Sequence, residues 1–273
     1  MLGKDLEKAI ITGGEGIIGS YINFGRRLTQ HDVDVTDKDG VDKIFKSLKP
    51  SLVIHLAAAT DMEKCEKDPN YAWRTNAWGT FNIAEACRHY GAVLVYVSTG
   101  VVFSGDKPEH SESDLPWPQS VYGRSKYVGE LAVKDIASEH LIIRTSWVFG
   151  GGPQYDHKFV GKIMRQLKSV PSIRAVTDHI GSPTFAKDFA ERLQELISED
   201  RRGVVHLVNS GSASRYDMAK EIVSRVKPEA RVEAVSYKSF GLSVDRQASE
   251  VLNSSLPPLR HWRDALGEYL GEE

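Results

Sequence analysis

The chain has 273 residues, of which 41% are apolar and 26% charged, with a formal net charge of −2. That is the make-up of a soluble globular protein with room for one large α/β domain, or for a domain and a smaller companion, and its charge offers no basic field for nucleic acid and no polybasic membrane patch. Two cysteines, Cys65 and Cys87, imply neither a disulfide framework nor a cysteine zinc site and fit a reducing cytoplasm, while the charged N-terminus reads as no signal peptide and no apolar run reaches membrane-spanning length.

In chain order, KAIIT (8–12) reads as a buried first strand that breaks into GGEGIIG (13–19) at the start of a helix. The amphipathic KDGVDKIFKSLKP (38–50) precedes a second strong strand, SLVIHLAAA (51–59). NYAWRTNAWGTFNIAEACRHYG (70–91) is a long helix with Ala77, Phe81, Ala84 and Cys87 at helical spacing and Gly91 as its stop. AVLVYVS (92–98) is a continuous apolar strand of the kind buried on both faces. The Pro-containing SESDLPWPQ (111–119) is a surface loop, followed by a helix with Tyr122 and by a strand in HLIIRTSWVFG (140–150). This alternation predicts a parallel sheet wound with helices. After Gly150, helices around 158–168, 186–197 and 216–226 alternate with short strands at SIRAV, VVHLV and RVEAV. That rhythm predicts a smaller lobe over 150–273, with FAKDFAERLQELI free to return to the main sheet, so that 1–149 plus part of 178–200 form the dinucleotide-binding domain.

Two features carry chemistry. Gly13, Gly16 and Gly19 directly after a strand suit a tight turn, close backbone approach to a pyrophosphate and tight helix–sheet contact. No Lys-Ser or Lys-Thr follows, which excludes a P-loop; the alternative is a glycine turn without a ligand. Tyr122 and Lys126 in SVYGRSKYVGE share one helix face about a turn apart, as do Tyr216 and Lys220 in YDMAK. The second pair is far in sequence from any cofactor element and reads as a plain helix face. His55 reads as a satisfied imidazole in an apolar strand, and the scattered His157, His179 and His206 show no metal-ligand spacing.

In combination and order, GGEGIIG, DVTD, VIHLAAATDMEKCEKDP, RTNAWGTFNIAEAC, VYVST..VF, VYGRSK, IIRTSWVFG, VTDHIGSPTFAKDFA and VVHLVNSGSASRYDMAKEI resemble an extended short-chain dehydrogenase/reductase, most similar to the dTDP-4-dehydrorhamnose reductase family, over nearly the whole chain. The resemblance implies a Rossmann-type doubly wound parallel sheet with a smaller C-terminal α/β lobe that holds a sugar nucleotide. It also implies reduction of a 4-keto-6-deoxy sugar nucleotide with NADP or NAD. Tyr122 is then the proton donor to the substrate carbonyl, and Lys126 binds the nicotinamide ribose and favours the phenolate. A phenol of pKa about 10 needs such a neighbouring charge to be lowered into a useful range. Thr99 matches the hydroxyl residue that bonds the same oxygen. Gly13, Gly16, Ile17, Ile18, Ala57, Ala58 and Ala59 match cofactor positions, Thr60 and Met62 the nicotinamide end and substrate pocket. Trp147 matches an aromatic beside the substrate or is a core residue at a strand end. Arg246 matches the arginine of an RP segment near the diphosphate, with Gln247 in place of the proline, and Asn76 matches a structural asparagine.

The chain departs from that pattern twice. The family usually follows the threonine with an aspartate and a tyrosine that help hold the sugar; here Gly100 and Val101 stand there, which subtracts hydrogen bonds a buried sugar hydroxyl needs. Only SYINFGRRLTQHDV lies between Gly19 and DVTD, so either the first helix is clipped or the second strand is reduced. Asp34 then grips an adenosine ribose or, with Val35, belongs to the segment beside adenine. Arg26 and Arg27 either bind a 2′-phosphate, which selects NADP, or are solvated charges at a helix end. The rival functions are a non-catalytic regulatory subunit like that of methionine adenosyltransferase and a sugar-nucleotide epimerase or dehydratase, the latter disfavoured because STGVV lacks acidic residues. A sugar nucleotide is the expected partner and a homodimer a possible assembly.

Overall fold

Six parallel strands form the central sheet of the computed structural model, which describes residues 6–242, 244 and 247–271. They are β1 (Ala9–Thr12), β2 (Arg26–Leu28), β3 (Leu52–His55), β4 (Val93–Thr99), β5 (His140–Thr145) and β6 (Gly203–His206), in the spatial order β6-β5-β4-β3-β1-β2. The inner strands are apolar runs because both of their faces are covered. Ile10, Leu28, Val53, Leu94 and Ile142 pack under helices α1 (Lys38–Leu48), α2 (Thr80–Tyr90) and α3 (Val121–Ile136). On the other face Ile11, Ile54, Val95, Ile143 and Val205 meet Phe189, Leu193, Leu196 and Ile197 of α4 (Ala186–Ser198). Helices on both faces make the sheet doubly wound, as the sequence predicts.

Two expectations are corrected. VVHLV does not belong to the smaller lobe's strands: β6 adds to the open edge of β5, pairing Val204 with Ile142 and His206 with Arg144. The helix expected after the glycine turn is a single 3-10 turn, Gly19–Tyr21, and β2 has only three residues. Both alternatives for the short segment are therefore realised together. With thirteen residues between Thr12, the last of β1, and Arg26, the first of β2, the crossover is close to the shortest that joins parallel strands. Tyr21, Ile22 and Phe24 pack with α4 over the face that a full first helix would cover. Arg26 and Arg27 are consequently exposed strand residues rather than charges at a helix end.

A second core gathers Phe149, Phe185, Ile163, Ile173, Ile222, Trp262 and Tyr269. Its helices include Phe159–Leu167, Arg215–Val226 and Trp262–Gly271. Ser172–Val176 pairs in parallel with Arg231–Val235, while Ile180–Gly181 lies between Ala213–Ser214 and Ser249–Glu250 in a three-stranded sheet. Tyr216 and Lys220 sit on the second of these helices, the lysine Nζ 5.7 Å from the ring, with no glycine turn beside them.

His55 and His206 make the fold acid-sensitive. His55 is fully buried between the Thr12 hydroxyl at 2.6 Å and the Thr80 hydroxyl at 3.2 Å, and burial holds its pKa down at about 3. Burial likewise holds His206 at about 4. Below the ordinary value of 6.5 the unfolded chain binds protons that the folded chain refuses, so stability falls as pH drops. The thermal midpoint is expected to hold above pH 6.5 and to decline steadily toward pH 4 as these two imidazoles are forced to charge. A midpoint that rises across that interval in a pH series of melts would contradict the two burials.

Candidate active site

The chain reverses direction across the sheet between β1 and β3, and ligands of such sheets bind beyond the carboxyl ends of the strands at that point. The glycine turn lies there. Gly13 has φ +68°, and a Cβ on it would stand 2.6 Å from the Ala57 nitrogen, so only glycine lets the turn approach the end of β3. Gly16 N–H donates to Gly13 O at 3.0 Å and Ser20 N–H to Gly16 O at 3.0 Å, which closes the corner. Among the described residues the N–H groups of Ile17 and Ile18 have no acceptor. This corner fits a diphosphate by its close backbone approach and its spare donors, although it lacks the helix dipole that the sequence predicts.

Ala57 and Ala58 are half-buried and Ala59 is buried. Asn76 holds Ala59 at both ends: its amide oxygen accepts from Ala59 N at 2.8 Å and its nitrogen donates to Ala59 O at 3.0 Å. The same nitrogen donates to Ser125 Oγ at 3.0 Å, one helical turn from Tyr122. Asn76 thus ties the end of β3 to α3, and it sits in a π-helical turn, Trp73–Gly79. Val35 is buried against α2, where Asn82 Nδ2 donates to its carbonyl at 3.0 Å. Asp34 is exposed and accepts from Thr36 N–H at 2.9 Å.

Helix α3 starts where Ser120 Oγ accepts from Gly123 N–H at 3.1 Å and Glu66 accepts from Val121 N–H at 2.7 Å. Its first turn carries Tyr122, half-buried, which packs against a cluster with Met62 and Val101 and against another with Ala59 and Cys65. Thr99 ends β4, accepts from Val101 N–H at 3.2 Å, and lies close enough to the phenol to favour its anion without a hydrogen bond of good geometry. Burial outweighs that help and pushes Tyr122 above the ordinary phenol value, and the nearby Glu250 carboxylate acts in the same direction.

Lys126 is buried, donates to Val97 O at 2.8 Å and lies 4.1 Å from the Tyr96 ring centroid. Burial lowers its pKa to about 7, opposed by the Glu130 carboxylate one turn on. Its ammonium is turned to the β4 backbone.

Thr60 accepts from Lys158 Nζ of the second lobe at 2.8 Å. Trp147 has φ +45°, a conformation costly for a bulky side chain, and its indole N–H is buried without a partner among the described residues. Its ring lies against Gly181, and the Arg215 guanidinium sits 3.5 Å from its centroid. Arg246 lies outside the described residues. Sequence reasoning missed Glu250, whose backbone oxygen borders Gly100 just after β4, an approach that depends on the second lobe folding back onto the main sheet.

No helix among the described residues is long and apolar enough to cross a membrane. Residues 2–273 match the RmlD substrate binding domain. A dTDP-4-dehydrorhamnose reductase of Mycobacterium tuberculosis is 36% identical over 97% of this chain and 92% of its own length. The spore coat polysaccharide biosynthesis protein SpsK of Bacillus subtilis is 32% identical over 98% of each. Among solved structures, the dTDP-4-dehydrorhamnose reductase of Bacillus anthracis in complex with NADP superposes with a TM-score of 0.93 at 32% identity, covering 97% of this chain and 99% of that one. The fold, the glycine corner and these likenesses agree: the chain belongs to the RmlD substrate binding domain family, the NAD(P)-dependent oxidoreductases of the dTDP-4-dehydrorhamnose reductase type.

Proposed function

We propose that the protein reduces the 4-keto group of a dTDP-linked 4-keto-6-deoxy sugar, using NADPH or NADH. The observation that carries this reading is the meeting of Thr99 and Tyr122 at the carboxyl end of β4, on the side of the sheet reversal where the glycine corner lies. The nicotinamide, when bound, supplies hydride to the carbonyl carbon. Tyr122 holds its proton at neutral pH, as any phenol does, and burial holds it more firmly, so its hydroxyl is a donor to the carbonyl oxygen as negative charge develops there. Thr99 then stabilises the phenolate that remains. Lys126, buried on the same helix, would bind the nicotinamide ribose. Gly13, Gly16, Ile17 and Ile18 hold the diphosphate, Ala57–Ala59 lie under the cofactor, and Asp34 and Val35 flank its adenosine.

In this reading 1–149 with part of 178–200 serve the dinucleotide and 150–273 the sugar nucleotide, with Thr60, Met62, Gly100 and Trp147 assigned to the sugar; Arg246, outside the described residues, is assigned there by resemblance alone. A cytoplasmic homodimer is the form in which it would work. Loss of NADPH or NADH absorbance on adding dTDP-4-dehydrorhamnose tests the reading. Well-folded protein that consumes neither cofactor with any dTDP-linked 4-keto-6-deoxy sugar refutes it.

A further inference from the structure

The space beside Gly100, where the resembling family has an aspartate, is taken by the second lobe. A Cβ built on Gly100 would stand 3.3 Å from Leu252 Cδ2 and 3.4 Å from Glu250 O. Glu250 ends the strand Ser249–Glu250 and pairs with Gly181, the residue on which the Trp147 ring lies. It is only 7% exposed, and among the described residues its carboxylate takes neither a hydrogen bond nor an ion pair. Its oxygens are not among the buried polar atoms without a partner in the described residues, so they reach solvent and stand open to a ligand's donor. Met62, Val101 and Val244 pack about Tyr122 and offer a sugar hydroxyl no side-chain acceptor. The Glu250 charge is felt at Tyr122, and its backbone oxygen borders Gly100, the residue after Thr99.

We propose that Glu250 accepts a hydrogen bond from a hydroxyl of the substrate's hexose, replacing from the second lobe the carboxylate that Gly100 lacks. The inference rests on the reductase reading and narrows it to sugars that keep a free hydroxyl near the keto carbon. A hydrogen-bonded sugar hydroxyl satisfies the carboxylate and fixes the ring beside Tyr122. A carboxylate that reaches solvent and holds no protein donor among the described residues adds little to the fold, so its removal should not destabilise it.

The test compares wild type, Glu250→Ala and Glu250→Ala/Gly100→Asp. With dTDP-4-dehydrorhamnose, Glu250→Ala is expected to raise KM about 10- to 100-fold, the loss of a hydrogen bond to a charged group, with kcat less affected. Its thermal midpoint should equal or exceed that of wild type, an outcome that a merely structural glutamate would not give. Gly100→Asp should recover part of the affinity, since its neighbours need give only a few tenths of an ångström. Calorimetric titration with dTDP-rhamnose and with dTDP reads the sugar's contribution independently of turnover. A ratio of the two affinities that shrinks in Glu250→Ala supports the proposal even if no keto sugar is reduced. An unchanged ratio, or no binding of dTDP-rhamnose by wild type, overturns it.

Discussion

Tyr122→Phe should cut kcat by about 10²- to 10⁴-fold, the usual contribution of a positioned proton donor. Cofactor affinity and thermal midpoint should stay near those of wild type. The ring remains packed against the cluster of Met62 and Val101 and that of Ala59 and Cys65, so the substitution removes one hydroxyl and no apolar contact. Among the described residues that hydroxyl makes no hydrogen bond of good geometry, so the fold loses nothing when it goes. Steady-state kinetics with dTDP-4-dehydrorhamnose, paired with a melt, separates a chemical defect from an unfolded protein. A variant that keeps full kcat would assign the proton to another group.

The largest expected effect on stability lies about two turns further along α3. Glu130 is fully buried and receives two parallel bonds from Arg144 of β5, Nε to Oε1 at 2.8 Å and Nη2 to Oε2 at 2.7 Å. The guanidinium lies 5.0 Å from the Phe103 ring centroid, and its third nitrogen, Nη1, has no partner among the described residues. Removing Glu130 strands Arg144 as an uncompensated charge in the core, and removing Arg144 leaves Glu130 with only the longer contact to Lys134 Nζ at 3.9 Å. Glu130→Leu or Arg144→Met alone should cost roughly 3–5 kcal/mol, a fall in thermal midpoint on the order of 10 °C. The double replacement should recover much of the loss, because packed apolar side chains substitute well for a buried pair. Melts of the two single variants and the double variant read this directly. Single variants that melt with wild type would show the pair to be energetically idle. Because Glu130 also holds the Lys126 pKa up against burial, its neutralisation should lower that of Lys126 further.

Much of this was legible in the chain itself. β1, β3, β4 and β5 declared themselves because strands buried on both faces must be unbroken apolar runs, and the glycines after β1 because a positive φ and a 2.6 Å approach to Ala57 leave no alternative residue. Helix α3 announced its start through Ser120 and its chemistry through Tyr122 and Lys126. Other features depend on partners distant in sequence. The four residues of β6 read equally well as a strand of either sheet, and only the open edge of β5 decides between them. The short stretch after Gly19 signalled that something had to shrink. That helix and strand both did so follows from Tyr21, Ile22 and Phe24 packing with α4, which begins more than 160 residues downstream of the turn.

The site shows the same division. Residue types and spacing pointed to a phenol and an ammonium, but spacing says nothing about what each touches. Lys126 spends its hydrogen bond on Val97 O, and the solvent-poor pocket around Tyr122 raises rather than lowers its pKa. Gly100 was visible as a missing carboxylate, whereas Glu250 could be recognised as its neighbour only once the strand Ser249–Glu250 had been paired with Ile180–Gly181.

The most direct measurement follows the hydrogen itself. Wild-type protein should be given dTDP-4-dehydrorhamnose and nicotinamide cofactor fully deuterated at its reduced carbon, and the sugar product examined by NMR. The account predicts one deuterium at C4 of the sugar, with the new hydroxyl proton drawn from solvent by way of Tyr122. Product without deuterium at C4, or an unchanged keto sugar beside folded protein, would contradict it.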